Sequence, residues 1–201
     1  MSYWRVPKVW IGQTVVVMAS GGSLTPEHAS KVTHLPRLVT NATFKIAPGA
    51  DIVYGSDVYF WRHYTEALDL PGLKLSIEQV PGMAPDLPRG VLYLKNDGQA
   101  GISHQPDRLK TGSNSGYAAL QIAYLAGASR ILLLGFDMCG PHWHGDHPRP
   151  LTNPGPSQFS KWITAFNAIA PELSARRVEV INCSPTSALT CFRKSRLEDC
   201  L

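Results

Sequence analysis

The sequence predicts an α/β protein with a doubly wound, mainly parallel, Rossmann-like sheet and a small irregular lid. Short runs of β-branched and aliphatic residues alternate with helical segments along the chain. A glycine-rich turn follows the first of these runs. A Gly/Ser/Asn turn near residue 113 then opens a helix of small and apolar residues, which leads into another apolar run. With 44% hydrophobic and 17% charged residues among 201, the chain can bury the core of one domain over residues 1–201.

The first part of the chain gives the first three predicted strands. The β-branched run Thr14–Ala19 predicts a buried strand, and a helix follows from Thr25, its N-cap, to Val32. A second strand is predicted at Thr40–Ile46 and a third at Ile52–Tyr54, followed by an aromatic-rich helix over Val58–Leu68.

The middle of the chain continues this alternation. A short strand is predicted at Leu73–Ile77, and the Pro- and Gly-rich stretch 80–101 predicts a loop with one edge strand at Val91–Leu94. A helix over Ser115–Ala126 and a buried strand over Arg130–Leu134 follow.

The last part of the chain opens with an irregular segment. Residues 139–156 hold five prolines and three histidines and are predicted to form the lid. The apolar stripe of Ser157–Ala175 predicts an amphipathic helix, and Val178–Asn182 predicts the last strand. The basic group Arg193–Arg196 favours a solvated terminal helix over a nucleic-acid patch.

Charge and composition narrow the partners. The formal net charge of +4 suits an anionic small molecule as well as nucleic acid, but the basic residues are scattered, so nucleic acid is not favoured. No apolar run approaches the ~20 residues of a membrane span, and no export signal is evident, so a cytoplasmic location is expected. The four cysteines form no Cys-x-x-Cys pair, which indicates reduced thiols.

The turn after the first strand is the first candidate site. Gly21 and Gly22 would let a ligand approach the backbone closely, and Ser23 could donate to a phosphate. A tight turn between strand and helix explains the same residues equally well.

The turn before the central helix is the second candidate site. A helix N-terminus offers free N–H groups and a partial positive charge to an anion. Capping a helix needs only one polar side chain, and we expect Ser113 or Ser115 in that role. The turn holds more polar side chains than a cap needs, which favours a ligand. The candidate residues are Thr111, Ser113, Asn114, Ser115 and Gly116.

Polar residues at the ends of predicted strands form the third set. Asp137 follows the run LLLGF, where it could bind a ribose hydroxyl, hold a metal or orient a catalytic histidine. Asn41 and Asp57 could each bond a base or sugar. All three residues could instead be turn formers that bond local N–H groups.

The fourth candidate is the histidine-rich run His142–His147, HWHGDH. Three histidines so close together favour general acid–base catalysis or substrate binding, with His144 and His147 as the candidate bases. His-x-His spacing also suits a metal site, and an exposed polar loop is the third interpretation. We favour the first and assign no metal ligand.

These motifs, in this order, resemble the bacterial lipooligosaccharide sialyltransferases and the related archaeal 6-hydroxymethylpterin diphosphokinase-like (MptE-like) family. SGGSL resembles their G-x-G-P-S-L turn, TNATF their R-x-N strand end without the arginine, and NCSPTSAL the closing C-P-x-S segment. TGSNSGYAALQIAYLAGASRILLLGFDM is similar to their S-G-x-x-A…G-x-D core. The small size resembles that of phage-encoded members. Gly22 replaces the family's proline, and Met138 stands where the sialyltransferases have tyrosine.

The resemblance implies a nucleotide bound across the carboxyl ends of the strands. By motif position, Gly21, Gly22 and Ser23 would meet the phosphates, and Asn41, Ser115 and Gly116 the sugar or base. Asp137 would contact the nucleotide. A histidine of the lid would be the base, as in the sialyltransferases.

The expected function is therefore a nucleotide-dependent transferase, most simply a glycosyltransferase that uses a nucleotide sugar and a histidine base. One alternative is a pyrophosphokinase-like transferase that uses ATP and a divalent metal such as Mg²⁺, which the residues themselves do not indicate. Another is a phage protein that sequesters a nucleotide without catalysis. The acceptor is open, and so is a homo-oligomer.

Overall fold

The computed structural model describes residues 3–80, 82–83 and 85–201, so residues 81 and 84 of the predicted loop lie outside the described residues. The described residues form one nine-stranded sheet in which every strand pair is parallel. The strands are β1 Thr14–Met18, β2 Arg37–Thr40, β3 Ile52–Tyr54, β4 Leu73–Ile77, β5 Val91–Asn96, β6 Arg108–Leu109, β7 Arg130–Leu134, β8 Glu179–Asn182 and β9 Arg193–Lys194.

The strand order is β6-β5-β4-β3-β2-β1-β7-β8-β9. The chain therefore builds the sheet outward from β1 in one direction and then returns to the other side of β1. Each β1 residue pairs with β7, from Thr14 opposite Arg130 to Met18 opposite Leu134. This reversal is a topological switch point, and its crevice lies beyond the carboxyl ends of β1 and β7.

Helices cover both faces of the sheet, which confirms the doubly wound α/β prediction. One core contains Val15 and Val17 of β1 with α3 and α4, and the other contains Val16 and Met18 with α1 and α2. The alternation follows from the two-residue period of a strand, and both faces are apolar because both are covered. The helices are α1 Pro26–Lys31, α2 Val58–His63, α3 Ser115–Leu125 and α4 Pro156–Ala175.

The predicted strand at Thr40–Ile46 is wrong. β2 ends at Thr40, and Asn41–Lys45 is a short 3-10 helix. Asn41 has φ of +50°, which takes the chain out of the extended conformation at that residue. The apolar residues Leu38 and Val39 of β2 lie directly before the run Thr40–Ile46, so the predicted strand begins too far along the chain.

The helix predicted over Val58–Leu68 is divided in two. α2 ends at His63, where Tyr64 has ψ of 64°, and a 3-10 helix runs over Thr65–Asp69. Phe60 and Trp61 are buried within the core while Tyr59 is 50% exposed, so core packing explains two of these three aromatic residues.

Two further predictions about strands are corrected. β5 is not an edge strand, because β6 pairs with its outer side. The basic group at 193–196 is not helical: Arg193–Lys194 pairs with Ile181–Asn182 as β9. An ion pair of 3.1 Å between Arg193 and Glu179 of β8 accompanies this pairing. Among the helices that the structure describes, none is long and apolar enough to cross a membrane.

The fully buried carboxylate of Glu78, directly after β4, fixes three separate segments. It accepts hydrogen bonds from the Tyr3 hydroxyl at 2.7 Å, the Gly82 N–H at 2.6 Å and the Asn96 N–H at 3.1 Å. Desolvation alone would raise the pKa of Glu78, but these hydrogen bonds hold the pKa below its ordinary value.

The variant Glu78→Gln should lower the free energy of unfolding at pH 7 by about 1.5–3 kcal/mol, since charged acceptors bind N–H and O–H groups most strongly. A depressed carboxyl pKa stabilises the fold above the unfolded value, about 4.3, and this stabilisation disappears as the pH falls through the folded value. The difference in the free energy of unfolding between wild type and variant, measured by urea unfolding, should therefore decrease only below about pH 4. A gap that is the same at pH 7 and pH 3.5 would contradict this assignment.

Candidate nucleotide-binding cleft

A cleft of about 250 Å³ opens at the switch point, beyond the carboxyl ends of the central strands. Most of the residues expected at a site meet here, although they come from distant parts of the chain. Those that line the cleft are Gly21, Asn41, Asp57, Ser113, Asn114, Ser115, Gly116, Asp137 and His147. Gly22, Ser23, Thr111 and His144 do not line it.

The two central turns are held together by the Asp137 carboxylate, which is only 5% exposed. It accepts a hydrogen bond from the Ser23 N–H at 2.7 Å and a second from the Ser23 hydroxyl. Ser23 thus gives both of its donors to a side chain of the protein. Asp137 acts as a clasp between the turn after β1 and the turn after β7.

Glycine is required where these turns cross. A Cβ on Gly21 would lie 2.5 Å from the Gly135 carbonyl oxygen and 2.8 Å from the Asp137 carboxyl carbon. Gly135 has φ of +69°, and a Cβ there would meet the Ala19 carbonyl oxygen at 2.5 Å. The sequence pattern predicted that a ligand approaches the backbone closely at Gly21. In the structure the Gly135 carbonyl oxygen and the Asp137 carboxyl group make that close approach instead.

The N-terminus of α3 forms one wall. Asn114, not Ser113 or Ser115, is its N-cap, because the Asn114 side chain accepts the Tyr117 N–H at 2.9 Å. The amides of Ser115 and Gly116 have no acceptor within the helix, and in the part of the chain that the structure describes no other hydrogen bond engages them. Gly116 also allows α3 to pack on Phe136, whose ring a Cβ would meet at 2.8 Å.

Backbone conformation marks the cleft as unusual. Among the described residues, four that are not glycine have positive φ, and Asn41, Ser113 and Met138 of these line the cleft. Such conformations are costly and concentrate at functional sites. Asn41, at φ +50°, directly follows β2 and lines the cleft.

Asp57 and Ser56 lie on the wall that follows β3. Asp57 caps α2 by accepting a hydrogen bond from the Tyr59 N–H at 2.8 Å, so it bonds local N–H groups as the alternative interpretation predicted. It also lines the cleft. The hydroxyls of Ser56 and Ser115 lie 3.1 Å apart and join this wall to α3. Ser56 was missed in the sequence because a lone serine at a turn carries no signal.

Two aromatic residues of α4 form the opposite wall. Phe159 and Trp162 are half-buried, line the cleft and pack edge to face with ring centres 5.6 Å apart. Trp162 donates its indole N–H to the Ser113 carbonyl oxygen at 2.8 Å. The sequence pattern placed both residues in the core stripe of the helix, because periodicity does not separate a core face from a cleft wall.

The lid segment 139–156 carries the histidines and is anchored to the turn after β1. Gly21 and His142 form an antiparallel bridge, and the Trp143 N–H donates to the Ser20 carbonyl oxygen at 3.0 Å. Burial lowers the pKa of His142, and burial together with the neighbouring imidazoles lowers the pKa of His144 and His147 to about 4. These shifts favour the neutral form of all three rings.

The clasp predicts a specific pattern of stability. Asp137→Ala should lower the free energy of unfolding by about 1–3 kcal/mol, because two donors lose their acceptor. In the Asp137→Ala background, the further substitution Ser23→Ala should lower the free energy of unfolding by little. A double-mutant cycle measured by urea unfolding should therefore give a clear coupling energy between Ser23 and Asp137. The exposed cap variant Asp57→Ala is the control; it should cost about 1 kcal/mol and combine additively with Ser23→Ala. Additive effects of Ser23→Ala and Asp137→Ala would exclude the clasp.

Comparison of the chain with protein-family models, curated proteins and solved structures finds no match. The resemblance to the sialyltransferase and pterin diphosphokinase-like families therefore stays a prediction.

Proposed function

We propose that this protein is a nucleotide-dependent transferase that binds a nucleotide-activated donor, most simply a nucleotide sugar, in the switch-point cleft. The observation that carries the proposal is the combination of three surfaces within one cleft: unengaged helix amides, polar side chains at strand ends and a half-buried aromatic pair. These surfaces match the phosphate, sugar and base of a nucleotide.

The phosphate position in this proposal is the start of α3. The unengaged amides of Ser115 and Gly116 and the dipole of the eleven-residue helix favour an anion there. They would also stabilise the negative charge on a departing nucleotide. The glycine turn is a weaker phosphate position, because Gly21 donates its N–H to the Gly135 carbonyl oxygen and Ser23 donates to Asp137.

The sugar and base positions follow from the other walls. Asn41 and Ser56 line the same cleft as the α3 N-terminus, and the Ser56 hydroxyl lies 3.1 Å from that of Ser115, so in this proposal their side chains bond the sugar hydroxyls. Phe159 and Trp162 offer aromatic surface for a base, and stacking of this kind tolerates any base.

In this proposal the loop His142–His147 contacts the acceptor. Transfer to a hydroxyl requires a group that accepts the hydroxyl proton, and we assign this role to the cluster His142, His144 and His147. Of the two expected bases, His147 lines the cleft and His144 does not. The ATP- and Mg²⁺-dependent alternative is less favoured, because both carboxylates lining the cleft, Asp57 and Asp137, already accept hydrogen bonds.

Thermal unfolding with a panel of nucleotides and nucleotide sugars tests the proposal. A ligand at a hundredfold excess over its dissociation constant should raise the free energy of unfolding by about 2.7 kcal/mol. The nucleotide sugar that binds should also be hydrolysed slowly to the free sugar and the free nucleotide, with water in place of the acceptor. Tight binding without turnover, with every acceptor class supplied, would support sequestration instead. No shift with any nucleotide would overturn the proposal.

Trp162→Ala should weaken nucleotide binding by roughly 5- to 150-fold, since base stacking contributes about 1–3 kcal/mol. Trp162→Phe keeps an aromatic face but loses the hydrogen bond to Ser113, so it should retain most of the affinity. Isothermal titration of the two variants separates stacking from that hydrogen bond. Equal affinity in wild type and Trp162→Ala would exclude this wall as the base position.

A further inference from the structure

The three lid histidines converge on one point. One ring nitrogen of each of His142, His144 and His147 lies within 4.8 Å of the corresponding atom of the other two. The sequence His-x-His-x-x-His achieves this because the chain turns at Gly145, which has φ of +79° and donates its N–H to the His142 carbonyl oxygen at 3.1 Å. Ring centres are separated by 4.6 to 5.1 Å.

Two ring nitrogens of this cluster lack a hydrogen-bond partner within the described residues. His144 Nε2 and His147 Nδ1 are buried and make no hydrogen bond. An unpaired buried polar atom is unfavourable, and most such atoms in folded proteins have a partner. Three histidines packed around a common point, two with unpaired nitrogens, lack an obvious structural purpose. They form an arrangement that a cation would complete.

We propose that His142, His144 and His147 bind a divalent transition-metal ion of the zinc class. Neutral imidazole nitrogen is a preferred ligand of Zn²⁺, whereas Mg²⁺ and Ca²⁺ require oxygen ligands. Three protein ligands leave a fourth coordination position open, as in catalytic zinc sites. His142 and His147 line the cleft, so an ion bound by them would lie at its edge.

The distances are compatible with an ion after small side-chain rotations. Tetrahedral geometry with Zn–N bonds of 2.0–2.1 Å places ligand nitrogens about 3.3 Å apart, and here they lie within 4.8 Å. The backbone that carries the rings is held on both sides of the cluster. Trp143 N–H bonds to Ser20, and the His147 N–H donates to the Asn153 side chain at 2.8 Å.

The site deepens the proposed function and, for its chemical role only, rests on it. A bound zinc-class ion lowers the pKa of a water in its open position to near neutrality. Imidazole nitrogens that bind the ion could no longer act as the base themselves. The resulting hydroxide would instead take the proton from the acceptor hydroxyl and become water. The acceptor oxygen would then form its bond to the donor carbon as the bond to the nucleotide phosphate oxygen breaks. The nucleotide leaves with the electron pair.

Titration of Zn²⁺ alone into the chelator-treated full chain should show one ion bound per chain, and Co²⁺ should give the visible absorption of a tetrahedral site. His144→Ala and His147→Ala should each weaken zinc binding by more than the roughly 10- to 100-fold that loss of an outer-shell partner costs. His34→Ala, which removes an exposed histidine outside the cluster, is the matched control and should bind as wild type does.

Equal zinc affinity in His144→Ala, His34→Ala and wild type would overturn the metal site. If the alanine variants do not fold, zinc affinity is measured for His144→Asn instead, and an affinity equal to that of the wild type would overturn the metal site. A wild-type Co²⁺ spectrum without tetrahedral bands would also overturn the metal site. Zinc binding without any nucleotide-induced thermal shift would overturn the proposed function alone. A nucleotide-induced shift in a protein that binds no zinc would overturn the metal site alone.

Discussion

The hydrogen bonds from Ser23 to Asp137 are the interaction on which the rest of the site depends. They join the turns that leave β1 and β7, the two strands at which the sheet reverses direction. The same place brings Gly21 within hydrogen-bonding distance of Gly135, at 2.9 Å, so no side chain separates the two turns. The floor of the cleft, the attachment of the lid and the position of α3 all follow from this crossing.

The walls of the cleft are built on that floor by elements that have other structural roles. Asp57 caps α2, Asn114 caps α3, and Trp162 ties α4 to the turn before α3. Each side chain is therefore held in place by the fold before any ligand arrives. Such preorganisation would reduce the entropy lost when a ligand binds in the cleft.

The sequence allowed the fold class and most strands to be predicted, because buried parallel strands are short apolar runs between turn residues. β3, β4 and β7 have the predicted bounds. β2 was misplaced because the left-handed conformation of Asn41 cannot be inferred from a β-branched run. The clasp could not be predicted, since its partners lie 114 residues apart. The histidine run was recognised as chemically unusual, but its convergence depends on a turn that only the structure shows.

The position of β1 has a mechanical consequence. Residues of the cleft that follow β2 and β3 belong to one side of the sheet, and those of the lid and α4 belong to the other. β1 is the one strand that pairs with both sides in the sheet that the described residues form. Because the two sides of the cleft meet at β1, its width depends on how β2 and β7 are arranged about that strand. Core substitutions at Val16 or Val17 of β1, below the cleft, would change the angle between its two sides and with it the width of the cleft.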